Sequence, residues 1–191
     1  MKNNQKFETN SVRAGSIRSD QGEHSEALYL TSSFVFKNAK EAAARFGNQD
    51  EGNIYSRFTN PSVKMFEDRL SVLEGAEQCV ATSTGMSAIL ACIMSLCKAG
   101  DHIVVSKSVF GTTIKLFDNI LIKWGLQVTY VSLTDLSEWK NSVKNNTKLF
   151  FVETPSNPLT EICDIAALAD LAHTSKSLLV VDNCFCTPAH Q

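Results

Sequence analysis

The sequence predicts an α/β fold: a mostly parallel sheet with helices on both faces, preceded by an extended N-terminal arm. Three observations predict it. Five short apolar runs alternate with four helical patterns between Gln78 and Asp182, the order of βαβ units. Runs such as Leu149-Phe150-Phe151-Val152 are apolar without alternation, as strands covered on both faces are. Residues 1 to about 37 carry no sustained period, which predicts an arm with short pieces of structure.

The elements follow in order. Residues 38–46 predict a short helix, since Asn38 can cap it and Ala42-Ala43-Ala44 favours it. Residues 47–52 are a polar loop bounded by Gly47 and Gly52. Asn60 then suits an N-cap and Pro61 the first helical position, with Val63, Phe66, Leu70 and Leu73 on one face and Gly75 as the stop. Strands are expected at 78–82, 102–106, 127–131, 148–153 and 178–182, and helices at 86–98, 112–124, 136–144 and 165–175. The helix at 86–98 is apolar nearly all round and is expected to be buried. The organisation predicted is residues 1–60 as the arm and 61–191 as a partial ligand-binding domain.

Composition excludes several classes. With 43% hydrophobic and 20% charged residues, the 191-residue chain has a globular balance. A net charge of −2 offers no general attraction to nucleic acid or an anionic membrane. The start, Met1 to Glu8, is polar, and no stretch approaches about 18 apolar residues, so neither a signal peptide nor a membrane span is expected. Four of the six cysteines sit in apolar runs, which predicts reduced thiols and a cytoplasmic setting. Cys184-Phe185-Cys186 lacks a metal-binding spacing and a second ligand pair, so no metal site is expected.

In such a sheet, ligands bind beyond the carboxyl ends of the strands. Thr82-Ser83-Thr84-Gly85-Met86 places hydroxyls and a glycine at a helix start, where N–H groups favour an anion; ordinary capping by Ser83 or Thr84 is the plainer reading. Phe110 stands before Gly111 after the next strand, able to stack on a planar ring or to staple the following helix. Asn157 is held between Pro155 and Pro158, by a structural turn or for a ligand. Asp182 ends an apolar strand, where a carboxylate needs a partner such as a metal or a protonated ring nitrogen. Tyr55 and Arg57 together suit a phosphate, or form a solvated surface pair.

Tyr55-Ser56-Arg57 with Asn60-Pro61, then Thr84-Gly85-Met86, Glu153-Thr154-Pro155-Ser156-Asn157-Pro158 and Val180-Val181-Asp182-Asn183, resemble in this order the Cys/Met-metabolism family of pyridoxal-phosphate enzymes. The resemblance runs from about Thr9 to the last residue, and its motifs are most similar to those of the O-succinylhomoserine sulfhydrylases. It implies the large domain of a fold-type I enzyme, with pyridoxal 5'-phosphate as cofactor. Gly85 and Met86 would then offer N–H groups to the cofactor phosphate, beside Thr84. Tyr55 and Arg57 would reach the phosphate in a neighbouring subunit of a homo-oligomer, a dimer of dimers. Asp182 would pair with the pyridinium nitrogen, Asn157 with the phenolic oxygen, and Phe110 would stack on the ring. Many relatives have Tyr at the Phe110 position; Phe cannot transfer a proton, so no catalysis is assigned to it.

The family's Schiff-base lysine lies beyond the Asp182 strand, and no lysine follows Lys176 in this sequence. The chain therefore resembles about the first half of such an enzyme, carries no assigned catalytic residue, and is expected to be inactive alone. The implied reaction of the parent enzyme is γ-replacement on the small amino acid O-succinylhomoserine with sulfide, giving homocysteine, with cystathionine γ-synthase, O-acetylhomoserine sulfhydrylase or γ-lyase chemistry as the alternatives within the family. Two other readings stand beside it: a non-catalytic fragment that serves as a binding or partner subunit, and a nucleotide-binding domain, which the missing Gly-rich fingerprint disfavours.

Overall fold

The computed structural model describes residues 5–191. The first four residues of the polar start lie outside the described residues. The chain divides into two compact units, residues 1–81 and 82–191. The predicted boundary stood at 60/61; by compactness the helix that follows it groups with the arm.

The first unit holds α1 (Phe7–Arg13), α2 (Ala39–Phe46) and α3 (Pro61–Leu73), with α1 packed on α3. Asn38 and Asn60 cap α2 and α3 by accepting from Glu41 N–H and Ser62 N–H, as their positions predict. The α1 helix was not legible in the sequence, because its seven residues carry no apolar stripe. Tertiary contacts hold it in place. The Arg69 guanidinium of α3 donates to Ala14 O (2.9 Å), to Ser16 Oγ (3.2 Å) and to the Glu26 carboxylate. Gly15 allows the close approach: its φ is +73°, and a Cβ there would meet Met65 O at 2.6 Å. Downstream, Ser56 N–H donates to Ser32 O (2.9 Å) and Phe34 N–H to Ile54 O (3.3 Å), so the Tyr55 segment is bridged to residues 32–34.

The second unit is the α/β domain. Its strands are β1 (His102–Ser106), β2 (Gln127–Val131), β3 (Thr147–Glu153) and β4 (Leu178–Asp182). They form a parallel sheet in the order β2-β1-β3-β4. The chain leaves β1 for β2 on one side and returns to β3 on the other, so a switch point opens between β1 and β3 at their carboxyl ends. On one face lie α4 (Gly85–Leu96) and α5 (Gly111–Leu116), the latter continuing through a π-helical turn (Phe117–Leu121) into α6 (Ile122–Trp124). On the other lie α7 (Leu136–Asn141) and α8 (Ile165–Thr174). Strand residues alternate between the two cores. Ile103, Val105, Leu149 and Phe151 pack under α4 and α5, while Val104, Phe150 and Val152 pack with Trp139 and Leu168. None of the described helices is long and apolar enough to cross a membrane.

Two expectations fail. Residues 78–82 form no strand: no described strand pairs with them, and Val80 stays 79% exposed. An apolar run becomes a strand only where a neighbour accepts its ladder. Nor is α4 buried all round: Ile93 faces the core, but Met94 and Leu96 are exposed, because the described sheet covers one side of the helix.

Candidate functional site

The carboxyl ends of β3 and β4, the segment that follows β1 and the start of α4 line an open cavity of about 700 Å³. Six of the residues singled out in the sequence line it together: Thr84, Gly85, Met86, Phe110, Asn157 and Asp182. Tyr55 and Arg57 belong to the first unit, where the Arg57 guanidinium lies 5.3 Å from the centres of both the Tyr55 and Phe58 rings.

At one end of the cavity α4 begins. The Thr84 hydroxyl accepts from Ser87 N–H (3.0 Å), and the Ser87 hydroxyl accepts in return from Thr84 N–H (3.1 Å). The plainer reading of Thr84 as an N-cap is therefore realised. This capping box leaves the Gly85 and Met86 N–H groups without a partner among the described residues, at the positive end of the helix dipole. A Cβ on Gly85 would meet no protein atom within 4 Å, so the glycine is not there to admit another part of the chain.

At the other end stands Asp182. Its carboxylate accepts one hydrogen bond among the described residues, from Cys184 N–H (3.1 Å). Burial pushes its pKa above the usual carboxylate range. The neighbouring Asn183 Oδ1 is buried and has no hydrogen-bond partner among the described residues. Between the ends, Ile89, Phe151, Val180 and the Phe110 ring make the wall apolar. The arrangement accepts an anion at the helix start, a flat apolar body beside Phe110, and a cationic or N–H group at Asp182.

The loop after β3 is closed on itself. Ser156 N–H donates to Glu161 O (3.0 Å), Glu161 N–H to Ser156 Oγ (3.1 Å), and Cys163 N–H to Thr154 Oγ1 (3.2 Å). These bonds fix Asn157 at the cavity edge.

Sequence reasoning missed Glu153. It also lines the cavity, is 2% exposed, and pairs in register with Asp182 across β3 and β4. The signal was available: Glu153 ends an apolar strand just as Asp182 does.

Comparison with known proteins agrees with this geometry. Residues 8–191 match the family described as Cys/Met metabolism PLP-dependent enzyme. The chain is 61% identical over 185 residues to an O-succinylhomoserine sulfhydrylase of Pseudomonas aeruginosa, covering 97% of this chain and 46% of that protein. It is 40% identical over 184 residues to an L-methionine gamma-lyase of Fusobacterium nucleatum subsp. polymorphum, covering 96% and 47%. A solved structure from Campylobacter jejuni subsp. jejuni, described as an O-acetylhomoserine (thiol)-lyase with N'-pyridoxyl-lysine-5'-monophosphate, superposes with a TM-score of 0.91 at 31% identity, covering 97% and 46%. The chain thus spans about half the length of the relatives it matches. With a parallel sheet covered on both faces and a match along nearly all of its length, the chain belongs to the Cys/Met-metabolism family of pyridoxal-phosphate-dependent enzymes.

Proposed function

We propose that these residues form the cofactor-binding half of a sulfhydrylase that replaces the γ-succinyloxy group of O-succinylhomoserine with sulfide, giving homocysteine for methionine biosynthesis. The observation that carries this reading is the single cavity that joins the Gly85–Met86 helix start, Phe110 and Asp182. The 61% identity to the Pseudomonas aeruginosa protein supports the succinyl ester.

The residues present fit pyridoxal 5'-phosphate. The unpartnered Gly85 and Met86 N–H groups suit its phosphate, with Thr84 shaping the turn. Asp182 suits the ring nitrogen, the Asn157 amide the phenolic oxygen, and Phe110 the ring face. When bound, the cofactor supplies an electron sink for negative charge that develops at the α and β carbons of the amino acid. Asp182 holds the proton at the ring nitrogen, and the apolar walls exclude water. Tyr55 and Arg57 would complete the phosphate site of a neighbouring copy in a homo-oligomer, which the family resemblance makes a dimer of dimers. No lysine lines the cavity among the described residues, so the covalent step is assigned elsewhere and no turnover is expected from these 191 residues alone.

A chimera tests the reading. Residues 1–191 joined to the remaining half of the Pseudomonas aeruginosa relative should release succinate from O-succinylhomoserine in step with sulfide consumption. Release of a keto acid without sulfide uptake would mark a lyase and overturn the replacement reaction.

Gly85 gives a separate check. Gly85→Ala adds a methyl group where no protein atom stands, so stability should hold or rise by about 0.5–1 kcal/mol. The methyl group would occupy the approach to the N–H groups, and affinity for pyridoxamine 5'-phosphate should fall at least about tenfold. Thermal unfolding and a binding titration on one preparation measure both.

A further inference from the structure

Glu153 presents a physical problem that the reading above does not solve. It is a carboxylate buried at the end of β3, directly in register with the carboxylate of Asp182 on β4. Registered residues on neighbouring strands point to the same face, so the two groups share one side of the sheet. Burial and the charge of Asp182 both push the pKa of Glu153 upward. The other titratable side chains lining the cavity are Cys92 and Cys184, and no Lys, Arg or His is among the lining residues. A buried carboxylate beside a half-buried one, with no cation between them, is destabilising.

The hydrogen bond of Glu153 shows what it holds. Its Oε2 accepts from Phe110 N–H at 2.6 Å. The backbone N–H of Asn157 faces the same carboxyl group and opposes that rise in pKa. Phe110 follows β1 and precedes α5, and Asn157 lies in the loop after β3. One side chain thus ties together two of the loops that form the cavity. A carboxylate is suited to this because both of its oxygens accept, whereas a glutamine has one acceptor oxygen.

We infer that Glu153 is a positioning residue for the ring site: it fixes the Phe110 backbone at the cavity edge, beside the loop that carries Asn157, and sets a second negative charge beside Asp182, so that the pair favours a ligand ring carrying a proton. The inference rests on the reading of Asp182 as the partner of the ring nitrogen. The missing cation is then the ligand's own.

The test uses pyridoxamine 5'-phosphate, which can bind without a lysine. The pH at which the bound ring loses its nitrogen proton is followed by near-ultraviolet absorbance, alongside affinity. Glu153→Gln should lower that pH midpoint by about one unit, the usual effect of removing one nearby charge, and weaken binding about tenfold. Glu153→Asp keeps the charge but shortens the reach, so it should weaken binding while leaving the midpoint within a few tenths of a unit. A folded Glu153→Gln protein with an unchanged midpoint overturns the inference. If Glu153→Gln does not fold, Glu153→Asp decides: unchanged affinity would sink the positioning role. Asp182→Asn separates the two levels. If it leaves the midpoint unmoved, the reading of Asp182 fails; if it lowers the midpoint and Glu153→Gln does not, the inference about Glu153 alone fails.

Discussion

Asp182→Asn is expected to cost the chimeric enzyme about 10³-fold in kcat/KM, roughly 4 kcal/mol, while leaving the fold as stable as before or more so. The two effects have one cause. Asp182 is a carboxylate whose burial disfavours its charge, and Cys184 N–H is its one hydrogen-bond donor among the described residues. Its folded pKa lies above the unfolded one, so the folded chain binds more protons through that window and stability falls as pH rises. The neutral amide removes that penalty and also removes the charge that would keep a proton on the ring nitrogen. Urea unfolding and steady-state kinetics on the same variant measure the split. Parallel loss of stability and activity would mean that Asp182 supports the fold rather than the reaction.

Mild acid should destabilise the second unit through a residue at the far end of the sheet. His102 opens β1, is fully buried, and shares hydrogen bonds of 2.8 Å with both Thr147 Oγ1 and Thr129 Oγ1. Burial, with a smaller effect of the Lys144 charge, lowers its pKa from 6.5 to about 4. The sign follows from the proton count. Below pH 6.5 the unfolded chain takes up a proton that the folded chain refuses until about pH 4, so stability present above pH 6.5 drains away across that interval. The full loss is about 3 kcal/mol, a large share of a domain's stability. Glu153 and Asp182, with raised pKa values, act in the opposite direction. Urea midpoints from pH 7.5 to 4.5 should fall for the native protein, while His102→Gln should start lower and show a much flatter profile. A native midpoint independent of pH over this range would remove His102 as the cause.

Much of this was legible in the sequence, for identifiable reasons. β1, β2 and β4 begin and end where their apolar runs do, because a short run between polar residues leaves little choice of boundary. The caps Asn38, Asn60 and Thr84 act locally, through a side chain and an N–H two or three residues away. Residues 78–82 misled because their apolarity resembles that of β1, while a strand also needs a partner that the run itself does not specify. The π-helical turn at Phe117–Leu121 left no mark in the periodicity.

The division at the site is the same. Residue types at strand ends identified Gly85, Phe110, Asn157 and Asp182 one by one, since backbone freedom, ring area and charge are properties of single residues. That they line one cavity depends on the strand order β2-β1-β3-β4, which places β3 and β4 side by side with Glu153 opposite Asp182. Glu153 makes the point most sharply. Its charge can be read from one letter, but its hydrogen bond to Phe110, 43 positions earlier, exists only once β1 and β3 have paired. The sequence by itself determined which chemical groups this protein carries and the local structure around them. Tertiary structure alone decided which of them meet, because register and burial arise from contacts between segments far apart in the chain.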